Sequence, residues 1–135
     1  MGWWGSGNFE GDAPRDYLAD VIGNFEKVVE CVLAGEQPRG ITSIDFAPGL
    51  SDAGEGCLVP TLAIIIALHE ALNSDYLPNA ETIERWKQRY LEMFDKPNLD
   101  FDVAEHKAKR RQVIVATFDK LLQLSCRQST TVREA

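Results

Sequence analysis

The sequence has few of the residues that build metal and redox sites. Its 135 residues include three cysteines and two histidines, and Cys31, Cys57 and Cys126 lie far apart with no C-x-x-C pair. A Cys/His zinc site needs four ligands, usually in closely spaced pairs. We therefore expect no metal site, no cofactor and reduced cysteines on apolar helix faces. A reactive cysteine is the alternative, although no histidine is close to any of the three in sequence.

The sequence also lacks a long apolar segment. The longest run, residues 58–68, contains Pro60 and Thr61 and is only about half as long as the roughly 20 residues of a membrane-spanning helix. A secretion signal would need a basic stretch followed by an apolar one, and the opening has neither. It does fit the myristoylation pattern M-G-x-x-x-S, but the adjacent Trp3 and Trp4 argue against acylation. We expect a cytoplasmic protein that does not enter the membrane.

Basic residues are scarce in the first half of the chain. The net charge is −7, and residues 1–60 carry ten acidic and three basic residues, whereas residues 61–135 carry eleven of each. An acidic surface repels nucleic acid and anionic lipid and attracts basic molecules. We therefore expect no nucleic-acid partner. The charge serves either to bind a basic protein or only to keep the molecule soluble.

Apolar residues recur at steps of three and four, which is typical of amphipathic helices. They predict a single, mainly α-helical domain: a compact bundle of about four helices with at most one short hairpin. The connecting loop 36–56 allows one short strand at residues 41–46, and the polar tail 127–135 is expected to be frayed. The predicted helices span residues 12–33, 57–73, 80–95 and 101–125.

Single residues predict where these helices begin and end. Asp12 and Asn79 are suitable N-caps for the first and third helices, Gly35 is a suitable end for the first, and Pro97 ends the third. The second helix is apolar on nearly every side. We therefore expect it to be the central and most buried element.

The first eleven residues combine glycines with aromatic residues, and we expect this segment to fold back onto the core. Within and just after it stand Trp4, Gly5, Gly7, Phe9 and Asp12, followed by Tyr17 and Leu18. At these positions the chain resembles the opening of a bacterial family known as domain of unknown function 4259, which has the pattern M-G-x-W-G-x-G-x-F-x-x-D. The resemblance covers about the first 35 residues and implies a small bacterial cytosolic protein without an established activity.

Motifs of known enzyme classes are incomplete in this chain. The glycine-rich residues 5–11 resemble a phosphate-binding loop but lack the preceding strand and the Lys-Ser/Thr pair that such loops need. His69 and Glu70 resemble the start of the zinc motif H-E-x-x-H, but Asn73 stands in place of its second histidine. No serine lies in G-x-S-x-G. Four acidic residues offer carboxylates without a spacing that brings two together: Asp45, Asp52, Glu55 and Glu70.

One basic cluster stands near the start of the last helix. Four cations within five residues could bind phosphates, but no aromatic residues are interleaved with them for base stacking. We interpret the cluster as a solvated helix face that pairs with the acidic residues just upstream. Its members are Lys107, Lys109, Arg110 and Arg111.

The acidic first helix is the feature that most needs a functional reason. Asp12, Asp16 and Asp20 follow each other at steps of four and so line one face, and Glu26 and Glu30 form a second like-charge pair. The helix dipole favours carboxylates in the first turn only. Further along, like charges at this spacing cost roughly 0.2–0.5 kcal/mol per pair. We predict that these five residues bind a partner.

The function that we predict is therefore an acidic protein-binding module. Its concrete form is an immunity or inhibitor protein that neutralises a basic bacterial toxin, such as a nuclease, by covering the active-site surface. The first alternative is a small enzyme or ligand-binding domain with a site between His69 and the glycine-rich N-terminus. The second is a structural homo-oligomer that associates through Trp3 or Trp86, if either is exposed.

Overall fold

Four α-helices and one π-helical segment form the fold in the computed structural model, which describes residues 4–40, 42–96 and 104–134. The predicted all-α bundle of four helices is confirmed, and the described residues contain no β-strand. The elements are α1 (Asp12–Leu33), the π-helical segment (Leu50–Leu58), α2 (Val59–Leu72), α3 (Ala80–Asp95) and α4 (Ala104–Glu134).

The four helices occupy the corners of a square. α1 packs against α2 and α3, and α4 packs against the same two helices, so α1 and α4 lie diagonally opposite. Glu55, just before α2, pairs with Arg110, and Glu70 near the end of α2 pairs with Lys120. α2 and α4 therefore run side by side in the same direction, and α1 and α3 form the parallel pair on the other side of the bundle.

α3 contributes the largest buried side chains of the core. Ile83, Trp86, Tyr90 and Phe94 are all fully buried, as their spacing along one helix face predicts. Trp86 therefore offers no exposed surface for oligomerisation, and Trp3 lies outside the described residues. The fully buried residues that surround α3 include Ile22 and Val29 of α1, Leu62 and Ile65 of α2, and Ile114, Phe118 and Leu121 of α4.

The predicted second helix, residues 57–73, is enclosed along one side only, although six of its residues are buried, a larger share than in α1 or α3. One side of α2 packs inward through Leu62 and Ile65, but Ala63, Ile64 and Ala67 are exposed. The reason is its corner position, where α1 and α4 cover only part of its surface. Together with the π-helical segment it makes a continuous helix, Leu50–Leu72. That helix is long and apolar enough to cross a membrane. Core helices of soluble proteins can have the same length and composition.

The second helix begins earlier than predicted, because a π-helical segment replaces the end of the expected loop. Its wide turns include a bond from the amide of Gly54 to the carbonyl of Gly49, which has φ 122°. Gly54 lies against the buried Tyr90, where a Cβ would stand 2.8 Å from the phenol oxygen. The glycines of this segment therefore allow close packing against α3 and do not mark a loop. The predicted strand at 41–46 is absent from the described residues 42–46.

The helix ends agree only in part with the sequence prediction. Asp12 lies in the first turn of α1, and Gly11 occupies the N-cap without a side-chain bond. Asn79 does cap α3, since its side chain accepts a bond from the amide of Thr82 at 2.8 Å. α4 runs on to Glu134, beyond the predicted end at residue 125. Pro97 lies outside the described residues.

The opening segment returns to the bundle through Phe9, which packs against the core. Bonds from the amide of Trp4 to the carbonyl of Glu10, and from the amide of Glu10 to the carbonyl of Gly7, close the turn. Trp4 itself is 60% exposed. The segment therefore folds back as predicted, but one of its tryptophans faces solvent.

Candidate functional site

The exposed face of α1 carries the three predicted aspartates. Helix periodicity places Leu18 and Ile22 in the core, and the opposite side of the same turns presents Asp12, Asp16 and Asp20 to solvent. Asp16 and Asp20 have no hydrogen-bond or ion-pair partner within the described part of the chain. Their charges remain available to another molecule.

A shallow cleft of about 320 Å³ lies beside these aspartates. Asp16 and Asp20 line one end, and Gly23 and Asn24 continue the wall one turn further along α1. Gly23 leaves the wall open, because no atom lies within 4 Å of the place where a Cβ would stand. Tyr76, from the connection between α2 and α3, closes the other side. The face is therefore concave, which a sequence pattern does not reveal.

Tyr76 is fixed in this cleft by a hydrogen bond from its hydroxyl to Glu26. Burial, with Glu26 adding to it, raises the pKa of Tyr76 to about 12. The phenol therefore stays protonated at neutral pH and keeps donating this bond. The role of Tyr76 could not be predicted from the sequence, because its hydrogen-bond partner Glu26 is 50 positions away in the chain.

Two further side chains define the surroundings of the cleft. Lys27 lines it, but lies seven residues beyond Asp20, or about 10 Å along the helix axis, roughly one Debye length in physiological salt. Tyr17 is 68% exposed next to Asp16. Exposed tyrosines are frequent anchors of protein interfaces.

The second predicted acidic pair, Glu26 and Glu30, serves the fold itself. Glu26 accepts the bond from Tyr76. Glu30 accepts bonds from the indole of Trp86 at 2.8 Å and from Arg85 at 2.5 Å. The bond from Arg85 holds the pKa of Glu30 below its ordinary value, with burial opposing and Trp86 assisting. The acidic face is thus narrower than predicted and centres on Asp16 and Asp20.

Pairing within the chain neutralises much of the remaining acidic charge. Because these carboxylates already lie next to cations, they add little to the field that a partner meets. The acidic residues with an ion-pair partner in the described chain include Glu30, Glu55, Glu70, Asp75, Asp95 and Asp119.

His69 lies in a cavity of about 460 Å³ at the end of α2, lined also by Asp75, Arg127 and Gln128. Its Nδ1 is 2.9 Å from the hydroxyl of Ser74, which itself donates to the carbonyl of Tyr76. The imidazole must therefore donate to Ser74, and burial lowers its pKa. Ser74 is only 2% exposed, so this pair is not placed to attack a substrate.

Arg15 joins the start of α1 to the end of α2. It donates to the carbonyls of Leu72 and Asn73 and forms an ion pair with Asp75 at 2.8 Å. A cation at the C-terminus of a helix also gains from the helix dipole. A cavity of about 690 Å³ next to it, lined by Trp4, meets the His69 cavity at Asn73 and Asp75. The predicted alternative site near His69 thus has room for a ligand.

Residues of the incomplete enzyme motifs make contacts within the chain itself. Asp52 accepts a bond from the amide of Ala47 at 2.6 Å, and the side chain of Glu10 lies over Gly5 and Gly7. No group of three or more metal-binding side chains occurs in the part of the chain that the structure describes.

The basic cluster of α4 is also engaged internally. Arg110 bonds to Glu55 and Arg111 to Asp95, while Lys107 donates to a backbone carbonyl and lies 5.4 Å from the ring centroid of Phe94. Because these cations already have contacts within the chain, the cluster is less available to bind a phosphate.

The three cysteines, all within the described residues, form no disulfide. Cys57 is buried, and burial raises the pKa of its thiol. A raised pKa disfavours the thiolate, which is the reactive form. Cys31 is half-buried and Cys126 is exposed on α4.

Comparison with protein-family models, with curated proteins and with solved structures gives no match to this chain. The resemblance of its opening to domain of unknown function 4259 stays a prediction from the sequence.

Proposed function

We propose that the protein is an acidic protein-binding module whose α1 face engages a basic protein. The observation that supports this most directly is the pair Asp16 and Asp20, exposed without partners in the described chain beside a cleft of about 320 Å³. The cleft can hold an incoming Lys or Arg side chain, and the two carboxylates attract its positive charge. Tyr17, 68% exposed beside it, supplies apolar contact area.

The electrostatics favour fast capture of a cationic partner. Unpaired carboxylates on one face of a molecule with net charge −7 produce a field that raises association rates at low salt. Binding would desolvate Asp16 and Asp20 next to the partner's cations, where close charge pairs contribute more than on an open surface. The proposed biological form is an immunity or inhibitor protein that covers the active-site surface of a basic toxin, such as a nuclease.

The test compares charge reversal on two faces of the same protein. The double variant Asp16→Lys/Asp20→Lys should bind the partner at least ~10-fold more weakly, a change of about 1.4 kcal/mol. The control Glu81→Lys/Glu84→Lys makes the same change in net charge on the exposed side of α3. Capture from the native host at low salt, followed by titration calorimetry with the captured protein, gives the affinities. Equal affinity for all three proteins would refute the proposal.

A second measurement addresses the toxin directly. If a basic nuclease-like protein is encoded next to this one, an equimolar amount of wild-type protein should abolish its nuclease activity. The Asp16→Lys/Asp20→Lys variant should leave that activity intact. Inhibition by both would place the contact elsewhere on the molecule.

The second candidate is a ligand-binding domain with its site at the end of α2. The observation that favours it is the pair of cavities, of about 690 and 460 Å³, that meet at Asn73 and Asp75. Because Arg15 and Ser74 are engaged internally, binding suits this place better than catalysis. A small-molecule screen by NMR that moves the His69 resonance would support this candidate, and a screen without shifts near residues 69–75 would reject it.

A further inference from the structure

The outer surface of α2 is unusual for a helix that faces solvent. A surface helix ordinarily carries charged residues on its outer side, but the only charged residue of α2 there is Glu70. Ile64 is 43% exposed at the middle of this surface. The other exposed residues of α2 are Pro60, Ala63, Ala67 and Ala71.

The neighbouring surface of α4 continues the same apolar region. Val113 is 49% exposed, and Ala116 is exposed one turn later. Between the two helices runs a groove of about 450 Å³, lined in part by Ala63, Ala67, Val113 and Ala116. We call this region, formed by the outer sides of α2 and α4, the α2–α4 face.

The middle of the α2–α4 face, residues 63–67 and 113–116, carries no charged residue that would oppose a second copy. At its ends, Glu70 and Lys120 lie 3.4 Å apart and neutralise each other, and Lys109 is exposed one turn before Val113. The cleft with Asp16 and Asp20 is bordered by Tyr76, on the chain that leads into α3, and so lies on the α1–α3 side, opposite the α2–α4 face. Two molecules that each carry −7 can therefore meet at this face with their acidic clefts pointing apart.

The pattern of large and small side chains fits a copy of itself. On each helix an exposed branched residue is followed three positions later by an exposed alanine: Ile64 and Ala67 on α2, Val113 and Ala116 on α4. In an antiparallel pair with a two-fold axis midway between such positions, each branched residue lies over the partner copy's alanine. Large side chains then fill the gaps left by small ones on both helices.

The same axis suits both helices. The pairing of Glu70 with Lys120 aligns α2 and α4 with an offset of 50 positions. With that offset, the midpoint of Ile64 and Ala67 and the midpoint of Val113 and Ala116 differ by about one residue, or ~1.5 Å along the helix. One two-fold axis can therefore satisfy both pairs at once.

We infer that the chain forms a homodimer through the α2–α4 face, with α2 antiparallel to α2 of the second copy and Ile64 packed over its Ala67. A face about 20 Å long and two helices wide covers roughly 400 Å² per copy. Stable interfaces bury about 800 Å² per partner. The dimer is therefore small and reversible, and it leaves both acidic clefts free.

Sedimentation velocity over a concentration series tests the dimer. The mass should rise from 15.1 kDa towards twice that value as the concentration increases. Ile64→Lys should weaken association at least ~10-fold, because it buries a charge in the apolar face. Ile44→Lys makes the same change at a residue that is 61% exposed in the loop before the π-helical segment, and it should dimerise like the wild type. Circular dichroism checks that both variants fold.

A mixing experiment tests the register. Ala67→Glu alone should likewise weaken association at least ~10-fold. Mixed with Ile64→Lys, it should restore a heterodimer, because the introduced ammonium and carboxylate meet once while the native Ile64 and Ala67 meet at the other contact. Failure of the mixture to associate would overturn the antiparallel pairing. A wild-type chain that stays monomeric at all concentrations, or that binds neutral phosphatidylcholine vesicles through Ile64, would overturn the dimer itself.

Discussion

The buried network of Tyr90, Glu55 and Arg110 gives the sharpest test of how the fold is held together. The hydroxyl of Tyr90 donates to one carboxylate oxygen of Glu55 at 2.6 Å, and Nε of Arg110 donates to the other at 2.6 Å. Tyr90 is fully buried and the side chain of Glu55 is 12% exposed. The network connects the π-helical segment with α3 and α4, and burial raises the pKa of Tyr90, so the phenol remains a donor.

Removing one partner from this network should lower the free energy of unfolding, because the buried groups left behind cannot bond to water instead. Tyr90→Phe keeps the ring against Phe118 but removes a hydrogen bond to a charged group, which contributes about 1.5–3 kcal/mol. Arg110→Met should cost about 2 kcal/mol, less than for a fully buried pair, because its side chain is 36% exposed. In contrast, Tyr90→Phe/Glu55→Leu/Arg110→Met removes the charge and its partners together. It should lie within ~1 kcal/mol of the wild type.

Urea unfolding followed by circular dichroism measures these free energies of unfolding. Tyr17→Phe is the matched control, since Tyr17 is 68% exposed, and it should change the free energy by less than about 0.5 kcal/mol. The melting temperature should fall by roughly 3–5 °C per kcal/mol for a chain of this size. Equal losses for Tyr17→Phe and Tyr90→Phe, or a triple variant less stable than both single ones, would refute this account of the network.

Three further predictions concern single contacts. Asn79→Ala should cost about 1 kcal/mol in urea unfolding, because it removes the cap on α3; no change would mean that the cap is dispensable. Arg15→Met should cost roughly 2 kcal/mol, since three acceptors near the end of α2 lose a charged donor, and hydrogen exchange should then rise in residues 72–75. Arg85 lowers the pKa of Glu30 from its ordinary 4.5, so this pair stabilises the fold above about pH 4.5 and the contribution is lost as the pH falls through the lowered pKa. Glu30→Gln should therefore unfold with a weaker dependence on pH below about pH 4.5, and an unchanged dependence would contradict the pairing.

Much of the helical architecture could be predicted from local patterns. Asp12 and Gly35 predicted the ends of α1 to within a residue or two, and the spacing of Ile83, Trp86, Tyr90 and Phe94 identified the buried side of α3. Asn79 was predictable because a cap depends on a neighbour three positions away. The π-helical segment before α2 was not predictable, because its glycines are typical of a loop and Gly54 packs against Tyr90, a residue far away in the chain.

The candidate site was predicted in part. The exposure of Asp12, Asp16 and Asp20 follows from helix periodicity alone, once the apolar side is known. The roles of Glu26 and Glu30 did not follow, since their partners Tyr76 and Arg85 are at least 50 positions distant in the chain. Spacing within one helix showed that the charges are close to each other but not which of them are neutralised.

The sequence by itself determined the helices, the excess of acidic residues in the first half and the side of α1 that faces solvent. These depend on interactions within a few turns of one helix. Only the tertiary structure decided that α2 is enclosed along one side only, that Tyr76 turns the α1 face into a cleft, and that the α2–α4 face stays uncovered. These properties depend on which helices become neighbours, and that is set by packing among residues far apart in the chain.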